Sequence, residues 1–246
     1  EPGPRAEPAF VRAELGPRAE PAVVRVPAGS VRLGVGDAEQ QELGFVWCNE
    51  APAHEVTVAP FRVSALPVTN REYLAFVEAG GAAPHRWEQS QQTGWHVHSV
   101  LDGAASLDGP AGEWPAIVTQ EEASRFAAWA GACLLAEPEY HRLFEASGAG
   151  SARAGFQRAA VRGNNDYKHR GHTPVGARDD APGPAVPVFD LVGNGWEWTA
   201  SAFAPFPGFT PLPAYPDYST DFFDGKHFVC LGASPFTDRQ TIRPSF

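Results

Sequence analysis

The segment Phe189-Asp-Leu-Val-Gly-Asn-Gly-Trp-Glu-Trp198 constrains the chain most. Gly193 and Gly195 let the backbone bend so that carbonyl oxygens turn inward. Asp190 and Glu197 add two carboxylates seven residues apart. Hard cations such as Ca²⁺ take six to eight oxygens, commonly carboxylate mixed with carbonyl. Asp190, Gly193, Gly195 and Glu197 are therefore the candidate metal ligands. The alternative is a Gly-Asn turn held in the core by Trp196 and Trp198. Both readings require an ordered, tightly folded loop. The surroundings agree: beyond Gly148, Gly, Pro, Asn and Asp are frequent and aromatic residues are scattered among them. That pattern predicts loops pinned by buried rings in place of long helices.

Short elements are expected upstream. Val31 to Val35, and His54 to Val58 with its polar/apolar alternation, read as strands. Thr69-Asn-Arg-Glu72 is a capping box opening a helix through Tyr73, Phe76 and Val77 that stops at Gly80-Gly81. A second box, Thr119-Gln-Glu-Glu122, opens a helix whose apolar face is Ala123, Phe126, Ala127 and Ala130. A third helix starts near Glu137 with Pro138 in its first turn. Asp224-Gly225 reads as a hairpin turn between Phe222-Phe223 and His227–Leu231. Trp87, Trp95 and Trp114 line a pocket or pin a long loop, and the loop is the preferred reading. No regular βαβ alternation occurs, so the fold class is α+β and not doubly wound.

The first 22 residues stand apart. Gly3-Pro-Arg-Ala-Glu-Pro-Ala-Phe-Val-Arg12 recurs as Gly16-Pro-Arg-Ala-Glu-Pro-Ala-Val-Val-Arg25 with one difference. Two short Pro-rich copies cannot build a solenoid, so residues 1–22 read as a linker and 23–246 as one domain. Glu1, Glu7, Glu14 and Glu20 balance Arg5, Arg12, Arg18 and Arg25 across the repeat, which leaves the net charge of −10 on the residues beyond it. Lys+Arg of 19 against Asp+Glu of 29 removes the nucleic-acid-binding class. No run approaches the roughly 18 apolar residues of a membrane span, so no membrane partner is expected. The sequence holds no methionine, which reads as a processed chain or a piece of a longer one. Cys48, Cys133 and Cys230 form no CxxC pair. They read as free thiols in a reducing cytoplasm, because the start of the chain lacks the apolar core of a secretory signal.

Asp190-Leu-Val-Gly-Asn-Gly-Trp-Glu-Trp-Thr199 resembles the signature of the formylglycine-generating-enzyme superfamily, a variant of the C-type-lectin fold. Asn49–Val56, Pro67–Tyr73, Glu137–Arg142, Phe203–Phe209, Phe222–His227 and Gly232–Pro235 follow in that family's order. This set is most similar to the sulfoxide synthases of ergothioneine and ovothiol biosynthesis and to their selenoneine-forming relatives. The resemblance implies short helices, small antiparallel sheets and long ordered loops. It also implies Fe(II)- and O₂-dependent joining of a cysteine-type thiol to histidine or trimethylhistidine.

In that family the iron ligands come largely from a helical domain with an HxxxHxE motif. No such motif occurs here, so a helical iron-binding domain is expected upstream or in trans. The close histidine sets are His96/His98 and His169/His172. The first two share a strand face and read as exposed histidines. Arg239 and Arg243 are the candidates for substrate carboxylates, since guanidinium forks suit them. A structural salt bridge is the alternative for each. Tyr218 is the nearest candidate for a proton-donating tyrosine, with a loop cap shared with Asp221 as its alternative. Formylglycine generation needs a reactive cysteine pair near the C-terminal end, and only Cys230 lies there. The resemblance leaves two other outcomes: a C–Se synthase, or a non-catalytic ligand-binding or scaffold module.

Overall fold

The computed structural model describes residues 23–101, 103–149, 162–177 and 186–245. The repeat and the linker over residues 1–22 lie outside the described residues. The fold is α+β with short helices and small antiparallel sheets, as the sequence predicts; the described residues form four of them. β1 (Val23–Val26) pairs with β4 (Phe61–Ser64), and β2 (Gly29–Leu33) pairs with β3 (His54–Val58). Alternation along β2 sends Val31 and Leu33 inward against Val58. The strand expected to reach Val35 ends at Leu33. Gly34 takes a φ of +77° there, and a Cβ would meet the Pro52 carbonyl oxygen at 2.8 Å. The Val35 N–H then donates to the Glu50 carbonyl at 2.7 Å instead of extending a ladder.

Between β2 and β3 run α1 (Asp37–Leu43) and a 3₁₀ turn, Cys48–Glu50. α2 (Asn70–Glu78) and α3 (Gln120–Trp129) begin at the two predicted capping boxes. The Thr69 N–H donates to Glu72 Oε2 at 2.8 Å, and Thr69 Oγ1 accepts from the Glu72 N–H at 3.2 Å. Thr119 and Glu122 repeat the exchange at 2.7 and 3.3 Å. Each box satisfies amide groups that a helix start leaves free.

β5 (Trp87–Ser90), β6 (Gly94–Ser99) and β7 (Gly103–Ser106) form a three-stranded sheet. It packs Trp87 with Tyr73, Phe76 and Phe126, while Trp95 and Trp114 pack against the same cluster. Trp87 and Trp95 are therefore strand residues of a core, while Trp114 packs against that core from the loop after a 3₁₀ turn, Pro110–Glu113, and lines a small pocket. Gly94 and Gly103, both at φ +72°, fold that stretch back on itself twice and give the rings a sheet to stand on.

α4 (Glu137–Phe144) starts where expected and packs on β2, β3 and β8 (Gly195–Ala202). Tyr140 and Phe144 join Val192, Leu231, Ala233 and Ile242 in a second core, and the Tyr140 hydroxyl donates to the Leu191 carbonyl. Burial of Glu137 at the start of α4 raises its carboxyl from 4.5 to about 7. The folded state thus holds a proton that the unfolded chain releases. The resulting stability is complete below about pH 4.5 and is lost as pH rises through about 7. Full burial would make this about 3 kcal/mol, and Glu137 keeps partial exposure, so about 2 kcal/mol is expected. Urea unfolding at pH 5 and pH 8 should show Glu137→Gln losing about 2 kcal/mol less than wild type across that interval. Equal losses would contradict the assignment.

β9 (Phe228–Ala233) pairs with β8, interrupted by a bulge between Trp198 and Ala202. α5 (Asp217–Thr220) lies in their connection. Asp224-Gly225 is consequently not the turn of a hairpin with Phe222-Phe223, which follow α5 as a turn. Asp224 Oδ1 instead accepts from the Lys226 N–H at 2.8 Å and holds His227 Nδ1 at 3.0 Å. Phe223 is drawn away to pack on Phe203 and Phe209. A turn signal fixes the bend but not the partner of the strand that leaves it.

Candidate functional site

The 3₁₀ turn before β3 buries a carboxylate. Glu50 is 1% exposed and every neighbour serves it. The Trp47 N–H donates to Oε1 at 3.0 Å. Arg243 donates through Nε to Oε2 at 2.7 Å and through Nη2 to Oε1 at 2.5 Å. Ser245 Oγ donates to Oε2 at 2.7 Å. This is a bidentate fork with two additional donors, the arrangement that makes a buried ion pair tolerable.

Above the pair, the Trp47 ring stacks on Tyr218 at 3.9 Å and 11°. Phe45 meets Trp47 edge-on at 4.8 Å, and Tyr215 meets Tyr218 at 5.7 Å. The four rings run in a row, and its end members Phe45 and Tyr215 are exposed. A cleft of about 290 Å³ opens beside them between Trp47–Pro52 and the Gly208–Pro213 loop, with Cys48 in its wall. Burial first, then the nearby Glu50 and Cys48, hold the Tyr218 phenol above its ordinary value. Tyr218 therefore stays protonated at neutral pH and is linked to the cleft through Trp47, the ring it stacks on.

Two predicted residues, Tyr218 and Arg243, are thus brought to one place. Arg239 is not: its side chain is 65% exposed and its Nε lies 3.6 Å from Asp166. Arg243 holds Glu50, in keeping with the salt-bridge alternative. Trp47, Cys48 and Glu50 were missed from the residue pattern. The available signal was one carboxylate set between Trp47-Cys48 and Ala51-Pro52, where an apolar neighbourhood implies an internal partner.

The Asp190–Trp198 segment lies elsewhere in the fold. Asp190, at φ +55°, accepts from the Gly176 N–H at 2.7 Å. Gly193 and Gly195 pair in an isolated bridge, and a Cβ on Gly193 would meet Asn164 N at 2.7 Å. The buried Asn194 side chain receives the Thr173 N–H at 2.9 Å and Asn164 Nδ2 at 3.0 Å. Trp198 Nε1 donates to the Val118 carbonyl at 2.9 Å. These are the contacts of an anchored Gly-Asn turn, and Asn194 contributes as much to the anchoring as the tryptophans do. Burial raises Asp190 to about 6, while burial and then the Asp190 charge raise Glu197 to about 7. Two adjacent buried carboxyl groups favour a positive charge between them, whether proton or cation.

Among the described residues, no group of three or more His, Cys, Asp or Glu side chains converges as a metal site. The described donors do not by themselves fit the facial set that a mononuclear iron requires. His98 Nε2 lies 3.0 Å from Glu88, and His172 Nδ1 donates to the Asn194 carbonyl at 2.7 Å. Burial and then Glu197 push the Cys230 thiol to about 12, so it is no ready thiolate.

Residues 11–246 match the FGE-sulfatase family model, described as the sulfatase-modifying factor enzyme 1-like domain. The chain belongs to this family. The formylglycine-generating-enzyme-like domain is 34% identical over 243 residues to the hercynine oxygenase of Mycolicibacterium smegmatis, covering 90% of this chain and 56% of that protein. It is 29% identical over 198 residues to ergothioneine biosynthesis protein 1 of Schizosaccharomyces pombe, covering 77% of this chain and 23% of that protein. The chain spans about half the length, or less, of these curated relatives. The structure of PvdO from Pseudomonas aeruginosa superposes with a TM-score of 0.57 at 22% identity, over 91% of this domain's chain and 85% of that chain. That likeness supports the fold alone.

Proposed function

We propose that this domain is the substrate-binding part of an iron- and O₂-dependent sulfoxide synthase joining a cysteine-type thiol to histidine or trimethylhistidine. The observation that carries the reading is the 34% identity with a hercynine oxygenase along nearly the whole chain. The iron belongs, in this reading, to a helical domain upstream or in trans, where Fe(II) would supply the activation of O₂. The residues of this chain bind and orient. The open cleft beside Trp47 offers a mainly apolar wall to a substrate, and Tyr218, stacked behind Trp47, keeps its proton. Arg243 holds Glu50, which in turn fixes the Trp47 turn, and the exposed Arg239 is the guanidinium able to exchange Asp166 for a substrate carboxylate. Cys48, Cys133 and Cys230 are all free thiols, consistent with work in a reducing cytoplasm.

The test uses the full-length protein with its iron. O₂ uptake should require both cysteine or γ-glutamylcysteine and trimethylhistidine. Absence of thiol-dependent uptake in the iron-loaded protein overturns the reading and leaves a non-catalytic binding module. Uptake with only a selenium donor moves it to a C–Se synthase.

Ca²⁺ at Asp190 and Glu197, completed by the Gly193 and Gly195 carbonyls, is a separate proposal. It rests on the buried carboxyl pair, which supplies two of the required oxygen-bearing groups. Calcium at about 100-fold excess over its Kd should stabilise the domain by about 2.7 kcal/mol. Glu197→Gln should abolish the accompanying rise in melting temperature, and an unchanged response in that variant retires the site.

A further inference from the structure

Trp47, Tyr218 and Tyr215 follow one another from the cleft wall to solvent. Trp47 lines the cleft, and its backbone N–H is tied to Glu50 Oε1 at 3.0 Å. Its ring lies on Tyr218 with centroids 3.9 Å apart, and Tyr218 meets Tyr215 at 5.7 Å. The Tyr215 N–H donates to the Leu212 carbonyl at 3.0 Å, and the Tyr218 N–H donates to the Tyr215 carbonyl at 3.2 Å. Consecutive turns thus fix both tyrosines, and Tyr215 is 55% exposed. At the other end of the row stands Phe45, whose ring resists one-electron oxidation. Among the rings of this row, a hole on Trp47 therefore has one exit, through Tyr218 to Tyr215. Two further facts bear on oxidation. The chain has no methionine, seven tryptophans and five tyrosines, so thiols and aromatic rings are its main oxidisable side chains. Cys48 shares the cleft wall with Trp47, and a thiol oxidised beyond the sulfenic stage is lost irreversibly.

Electronic coupling falls steeply with distance, so rings in contact exchange an electron far faster than separated ones. A phenol that can release its proton is easier to oxidise than an indole, which drives a hole from tryptophan to tyrosine. We propose that Trp47, Tyr218 and Tyr215 form a relay that carries oxidising equivalents out of the cleft to the surface, one electron at a time. The oxidant is of the oxygen-centred radical class, X–O•, and for its origin in O₂ chemistry at the cleft the inference rests on the synthase reading. X–O• takes an electron from Trp47 and a proton from water, and becomes X–OH. Trp47 recovers its electron from Tyr218, which releases its phenolic proton and regains electron and proton as Tyr215 is oxidised. Tyr215 gives its proton to solvent and is left as the neutral radical. The net change is X–O• and Tyr215–OH giving X–OH and Tyr215–O•. A small-molecule thiol at the surface then returns a hydrogen atom to Tyr215, and two of the resulting thiyl radicals couple to a disulfide. The oxidising equivalent leaves through the rings, and Cys48 beside Trp47 keeps its thiol.

The test places a photochemical oxidant in the cleft of the full chain, without iron or O₂. A ruthenium polypyridyl complex is attached at Thr210→Cys, an exposed position in the cleft wall, with Cys48→Ser and Cys133→Ser preventing labelling elsewhere. After flash oxidation, transient absorption should show a tryptophanyl radical converting to a tyrosyl radical. A radical trap, located by mass spectrometry, should mark Tyr215. Tyr218→Phe keeps the ring on Trp47 and removes only the hydroxyl, so the wild-type melting temperature should be retained. This variant should lose the trap adduct at Tyr215 and hold the hole as a persistent tryptophanyl radical. Tyr215→Phe should leave the adduct on Tyr218. The proposal is overturned if no tyrosyl radical forms, or if Tyr218→Phe marks Tyr215 as the parent protein does. A protein without thiol-dependent O₂ uptake would overturn the synthase reading with the relay still measurable, and a failed relay would leave O₂ uptake unchanged as evidence for that reading.

Discussion

Glu50→Ala is expected to lower the unfolding free energy by about 3–5 kcal/mol, the range for removing one partner of a buried ion pair. The reason lies in what remains. Arg243 keeps its charge within a wall where only 23% of its side chain reaches solvent. The Trp47 N–H and Ser245 hydroxyl lose their acceptor at the same time. For a domain of this size the melting temperature should fall by about 10 °C. Replacing both members, Glu50→Met with Arg243→Met, should recover part of the loss, because two apolar side chains leave no charge stranded. Urea titrations of the three proteins check this. A Glu50→Ala domain within 1 kcal/mol of wild type would falsify the structural role of the pair.

Tyr218→Phe in the full-length, iron-loaded protein is expected to reduce turnover by about 10²–10⁴-fold, the range for losing a positioned proton donor. Phenylalanine keeps the ring that stacks on Trp47 at 3.9 Å, so stability and substrate KM should stay near wild type. That split separates proton donation from packing, since a purely structural tyrosine would leave kcat intact. The phenol titrates above its ordinary value, from burial and then from Glu50 and Cys48. It therefore stays protonated through neutral pH, and any alkaline decline assigned to it should lie above pH 10. A decrease of less than threefold in kcat removes Tyr218 from the proton-transfer role.

The features legible in the sequence were local ones. Thr69 and Glu72, or Thr119 and Glu122, lie three residues apart and answer each other within one helical turn, so spacing alone identifies them. Val31, Leu33 and Val58 obeyed strand alternation. The Asp190–Thr199 signature led to the right family because it combines a strained turn with tryptophans on a strand. Partners distant along the chain were not legible. Asp224-Gly225 has the composition of a hairpin turn, yet β9 reaches back past α5 to β8. Trp87 and Trp95 resembled loop anchors until the turns at Gly94 and Gly103 placed them on paired strands. Arg243 was found as a candidate for carboxylates, but nothing near it in sequence names Glu50 as the carboxylate it holds.

The Glu50–Arg243 bond spans 193 residues. A chain grows from its N-terminal end at about 5–20 residues per second, so roughly 10 to 40 s separate the synthesis of the two partners. Through that interval the Trp47 turn has its carboxylate but no counter-ion. The anchor of the Trp47 turn is consequently completed among the last contacts of the domain to form on the ribosome, and pausing or premature release during translation would leave Glu50 without its counter-ion.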